Sequence, residues 1–138
     1  MAIDATIGGA TSDSYSTVAD ADAYHTNHLY HATWTAASTD SKERSLKMAT
    51  RLLDERITWV GSKYTDEQYL RWPRGSVTDI DGYSVVVTVI PVPVKNAVAE
   101  LARHLTVSDL TVQAQGKGIA SLDAGSVSLT FSKTDTAD

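Results

Sequence analysis

The stretch Asp40-Ser-Lys-Glu-Arg-Ser-Leu-Lys-Met-Ala-Thr-Arg-Leu-Leu-Asp-Glu-Arg-Ile57 decides the fold class. Leu46, Ala49, Leu53 and Ile57 recur at i, i+3, i+7 and i+11, with Leu52 widening the stripe, which is the period of an amphipathic helix. Glu43 and Lys47 stand i, i+4 in the favourable order on the outer side. Such a helix must lay its apolar face on a partner, and a second stripe supplies one. Val94, Val98, Leu101 and Leu105, with Ala97 and Ala102 between them, predict a helix over about 92–106, and proline is tolerated in its first turn. A third helix is expected over about 18–29, because Thr17 can cap it and Asp20 follows three residues later. The expected architecture is mainly α: a small bundle of about three principal helices, packed through Leu46, Leu53, Ile57, Val98, Leu101 and Leu105.

Working outward, residues 1–13 are small, polar and glycine-containing, and read as an extended N-terminal arm that orders only by docking. Residues 14–110 form the helical domain. Within it, 33–39 reads as a polar connector, Trp59, Gly61 and Tyr64 as an aromatic-containing loop, and Asp79-Ile-Asp-Gly82 as a turn. Residues 111–138 read as a C-terminal β-hairpin and tail. There Val127, Leu129 and Phe131 alternate with Ser126, Ser128, Thr130 and Ser132, with Ala124-Gly125 near the turn. A lone two-stranded hairpin is marginal in water, so Val127, Leu129 and Phe131 are candidate interface residues.

Composition narrows the function. The 138 residues carry no cysteine, which excludes disulfides, thiolate zinc ligation and thiol catalysis within this sequence. A net charge of −5 and the lack of a Lys/Arg run argue against a broad phosphate-binding surface. No apolar run approaches the ~20 residues of a membrane span, and residues 1–10 lack the pattern of a signal peptide, so a soluble protein is expected.

His25, His28 and His31 are spaced by three, but no nearby residue completes a recognised metal motif. Asp79-x-Asp81-Gly82 resembles a fragment of a calcium loop, yet the twelfth position counted from Asp79 is Ile90 rather than a bidentate glutamate. Gly116-Lys117-Gly118 lacks the spacing of a phosphate loop, and no serine sits in a nucleophile motif. The expectation is therefore no enzyme, no metal and no cofactor. Trp34, Trp59, Trp72 and Tyr64 could stack on bases, with Lys63, Arg71 and Arg74 as the nearby cations, but packing is the favoured role.

Several separate stretches resemble one family. They are Ser14-Tyr15 with Val18-Ala-Asp-Ala-Asp-Ala-Tyr24, Lys47-Met-Ala-Thr-Arg-Leu-Leu-Asp54, Trp59-x-Gly61, Leu70-x-Trp72-Pro73-Arg74, Asp79-x-Asp-Gly-Tyr83, and Ile90-Pro91 leading to Val94-Lys-x-Ala97. In order and spacing they are similar to the head–tail connector, or adaptor, proteins of tailed-phage necks, many of which carry the label of DnaT-like single-stranded-DNA-binding proteins. The resemblance implies structural roles for Tyr15, Asp20, Trp59, Trp72, Pro73, Arg74, Asp81 and Gly82. It implies a ring of twelve subunits beneath a portal protein, docked to the next neck or tail protein, with genomic DNA passing through without specific binding. It also implies assembly in the host cytoplasm and a final place in the virion neck. Single-stranded DNA binding of the DnaT-like type is the alternative reading.

Overall fold

The computed structural model describes residues 2–109 in full, together with the backbone of two short strands at 121–124 and 127–130. The domain is mainly helical. Its elements are α1 (Val18–Thr26), α2 (Ala32–Ala36), α3 (Thr39–Arg56), β1 (Ser62–Lys63), β2 (Arg74–Gly75), α4 (Val92–Leu105), β3 (Ser121–Ala124) and β4 (Val127–Thr130).

Helix α3 starts where the Ser38 hydroxyl accepts the Ser41 N–H, and it packs chiefly on α4. Leu46, Ala49, Leu52 and Leu53 on α3 meet Val94, Ala97, Val98, Leu101 and Ala102 of α4 in one buried cluster. Ile57 and Leu105, at the ends of the two stripes, are only partly buried against it. Helix α4 follows Pro91 and ends at Thr106, whose hydroxyl donates to the Arg103 carbonyl over 2.6 Å. No helix among the described residues is long and apolar enough to cross a membrane.

Three local expectations need correction. Helix α1 begins as expected, with the Asp20 N–H on the Thr17 hydroxyl at 3.1 Å, but it stops at Thr26. Leu29, expected as its last residue, is 81% exposed. The connector at 33–39 contains α2, which exists to bury Trp34; its indole N–H donates to Asp22 at 2.8 Å and its ring packs 4.9 Å from His25. Lys47 pairs with Asp13 rather than with Glu43, and the i, i+4 pairs on α3 are Arg44–Asp40 and Arg51–Glu55.

The segment expected as an extended arm is instead closed on the chain's own core. The Asp13 N–H donates to the Asp4 carbonyl at 2.8 Å, and the Asp4 N–H returns to the Asp13 carboxylate at 2.9 Å. Asp4 also accepts from Thr6 and Thr11, Ser12 bonds the Thr6 carbonyl, and the Tyr69 N–H donates to Gly9. Ile3 packs against the core, but most of the loop's order comes from these hydrogen bonds, to which hydropathy is blind. Strands β3 and β4 pair antiparallel, Leu122 opposite Leu129, and their backbone runs beside α4. The side chains of Val127 and Leu129 and the whole of Phe131 lie outside the described residues.

Candidate functional site

The Trp-Pro-Arg motif is an internal brace. Residues 68–72 cross the domain with alternating burial, so that Gln68, Leu70 and Trp72 point in while Tyr69 and Arg71 point out. The Trp72–Pro73 peptide is cis. Trp72 packs edge-on to Trp59 with ring centres 5.5 Å apart. Arg74, only 7% exposed, spends its guanidinium on the carbonyls of Val60 (2.7 Å), Gly61 (2.8 Å), Arg71 (3.0 Å) and Trp59 (3.3 Å). Gly61 is required beside it, because its φ is +74° and a Cβ there would collide with the Gly75 carbonyl oxygen.

Tyr15 ties this brace to α3. Its hydroxyl donates to Asp54 at 2.8 Å and accepts the N–H groups of Arg71 and Trp72 at 3.0 Å each. Burial, then the Asp54 charge, push the Tyr15 pKa far up, so it stays a neutral donor. Burial also pushes the Asp54 carboxyl up, against the bonds it receives from Tyr15, Arg71 and Trp59. Trp72 and Arg74 are thus unavailable to a ligand. Of the remaining motif residues, Asp20 pairs with Lys95 at 3.8 Å. Asp81 and Gly82 form an exposed turn whose N–H groups bond Asp79.

The histidines are joined by packing and hydrogen bonds. His25 is 1% exposed and contacts the Ala99 carbonyl through Nε2 at 2.9 Å. His28 accepts the Tyr30 N–H at Nδ1, which leaves its Nε2–H for Glu100 at 2.9 Å. Burial would raise the Glu100 pKa, but bonds from His104, Arg103 and Tyr24 outweigh it and hold the carboxyl well below the usual range. Among the described residues, no group of three or more His, Cys, Asp and Glu could hold a metal ion.

His25 makes the domain acid-sensitive. Burial lowers its pKa below the ordinary 6.5, so as pH falls through that value the unfolded chain takes up a proton the folded chain refuses. The thermal midpoint is expected to fall as pH drops below 6.5. Glu100 adds a further loss below its ordinary 4.5. Melting curves from pH 7.5 to 4 check this, and His25→Gln should flatten the upper part of the profile.

Among the described residues, a groove along the outer face of α3 combines several cations with an exposed ring. It is lined by Arg44, Lys47 and Arg51 at i, i+3 and i+7, by Asp13, Asp54 and Glu55, and by Tyr69 and Arg71 from the crossing segment, and it measures about 640 Å³. Tyr69 is 72% exposed. Arg44 pairs with Asp40 at 2.9 Å, Lys47 with Asp13 at 3.2 Å and Arg51 with Glu55 at 3.9 Å. Exposed pairs such as Arg44–Asp40 and Arg51–Glu55 are worth only about 0–1 kcal/mol, so an anion can replace the carboxylate there at small cost, while Lys47–Asp13 is half-buried. Arg71 has no ion-pair partner within 4.0 Å among the described residues. An aromatic face beside a cationic row suits a ligand with π-faces on an anionic backbone. The sequence offered Trp34, Trp59, Trp72 and Tyr64 as rings that could stack, with packing as their favoured role, and Tyr69 was not among them. The signal was present in the alternation of 68–72.

A family model described as "Putative DnaT-like ssDNA binding protein" matches residues 1–138. No curated protein and no solved structure matches the chain. The family match overturns the neck-connector reading, and with it the twelve-membered ring, the portal and the next neck or tail protein as partners.

Proposed function

Because the chain belongs to the family of DnaT-like ssDNA binding proteins, we propose that it binds single-stranded DNA, along the α3 groove. The observation that carries this reading is the row Arg44, Lys47, Arg51 and Arg71 set beside the exposed ring of Tyr69. Phosphates lie along the cations, and a base stacks on Tyr69, which tolerates any sequence because every base has a π-face. The family match overturns the expectation that DNA passes without specific binding. The net charge of the chain counts acids that already have partners within the fold: Asp22 with Trp34 and Lys42, Asp54 with Tyr15, and Glu100 with Arg103 and the histidines. In this reading the three long helices are the bundle that carries the groove, α2 is a short brace, and the protein acts by binding alone, with no bond made or broken.

The test is fluorescence anisotropy with labelled oligo-dT of about fifteen nucleotides. Base–aromatic stacking is worth about 1–3 kcal/mol, so Tyr69→Ala should weaken binding about 5- to 150-fold while leaving the helical circular dichroism unchanged. Equal affinity of Tyr69→Ala and wild type would refute the placement of the site. Trp72→Ala is no substitute, since Trp72 is 5% exposed and its loss acts on the core.

A further inference from the structure

The groove contains its own competitor. Asp13 differs from the other acids there, because it belongs to the loop at 2–13 and not to α3. One of its oxygens is held by the Asp4 N–H at 2.9 Å, while its backbone N–H is held by the Asp4 carbonyl at 2.8 Å. Asp4 is fixed in turn by Thr6 at 3.1 Å and Thr11 at 2.8 Å. The second Asp13 oxygen therefore meets the Lys47 ammonium at 3.2 Å from a position set by the loop's own hydrogen bonds. Asp40 and Glu55, by contrast, reach Arg44 and Arg51 from exposed side chains that no further hydrogen bond among the described residues holds. A carboxylate oriented in advance gives up less side-chain entropy on pairing and competes better for a cation than a mobile one. The same loop touches the stacking position, since the Tyr69 N–H donates to the Gly9 carbonyl at 3.1 Å.

We propose that Asp13 occupies the place of a DNA phosphate at Lys47, so that binding is an exchange in which the phosphate displaces Asp13 and the 2–13 loop sets the affinity of the groove. This rests on the single-stranded DNA reading. When a strand enters, an Asp13 left in place repels the phosphate that approaches Lys47, so the loop must give up the ion pair. Removing the charge removes both the competition and the repulsion.

The experiment compares wild type, Asp13→Asn, Lys47→Ala and the double variant for binding the same labelled oligo-dT. Asparagine retains an oxygen for the Asp4 N–H, so the loop's clasp is kept. Asp13→Asn is expected to bind about three- to tenfold more tightly, from the released pair and the lost repulsion. Lys47→Ala should abolish that gain, making the double variant equal to Lys47→Ala alone. Glu55→Gln, which loosens a pair at 3.9 Å, should gain less. Tighter binding by Asp13→Asn supports the proposal even if wild-type binding is too weak to detect. If wild type binds and depends on Tyr69 but Asp13→Asn binds no better, the exchange is wrong and the DNA reading stands. A gain that persists without Lys47 also overturns the exchange. Binding by neither protein overturns both.

Discussion

Replacing Arg74 by Ala is expected to lower the stability of the domain by about 3–5 kcal/mol, the largest loss among the polar positions. Its guanidinium serves four backbone carbonyls, two of which, Val60 and Gly61, lead into β1. Hydrogen bonds to a charged group are worth about 1.5–3 kcal/mol each, and a buried acceptor left unpaired costs about 1–3 kcal/mol. The full sum is not reached, because the carbonyls nearest the surface regain water. For a domain of this size about 4–8 °C is lost per kcal/mol, so a thermal melt should shift down by about 15 °C or more. Arg74→Lys should recover only part, because one ammonium cannot reach carbonyls arranged around a planar fork. A shift under about 3 °C for Arg74→Ala would show that the brace is not what holds residues 59–75 in place.

The second large effect is on binding. Changing Arg51 and Arg71 to Glu together should weaken the complex with oligo-dT about 100-fold or more at moderate salt. Two attractive charges become repulsive ones, and like-charge contacts across an interface cost several kcal/mol. Both residues are exposed, so stability should move by no more than about 0.5 kcal/mol for each change. That separation distinguishes these positions from Arg74, whose loss should lower the melting temperature of the domain strongly. Affinity within threefold of wild type would remove Arg51 and Arg71 from the DNA path.

The helices were legible because one periodic signal governs each of them. Leu46, Ala49 and Leu53 repeat at the helical period, and so do Val94, Val98 and Leu101, and all are buried. Helix α2 is too short to show a period, and Trp34 in it is buried through partners elsewhere, Asp22 and His25. The 2–13 loop looked free because only Ile3 anchors it by apolar packing, and the rest of its order comes from the Asp4–Asp13 clasp, to which hydropathy is blind.

Half of the candidate site also stood in the sequence, as Arg44, Lys47 and Arg51 on one helical face. The other half was hidden by distance along the chain, since Arg71 and Tyr69 reach the groove only because the Tyr15–Asp54 contact fixes the crossing segment. Net charge was the wrong guide for a further reason. A sum over the chain counts acids such as Glu100, held among Tyr24, His28 and Arg103, as though they faced a ligand.

The most direct measurement is the affinity of the wild-type protein for oligo-dT as salt is raised from 50 to 200 mM. With three or four of the groove's cations on phosphates, log K should fall with log salt at a slope of about −2 to −3, a loss of about 20- to 50-fold over that range. Matched duplex should bind more weakly at every salt concentration, because its bases are not free to stack on Tyr69. A slope near zero, or no difference between single strand and duplex, would contradict the account.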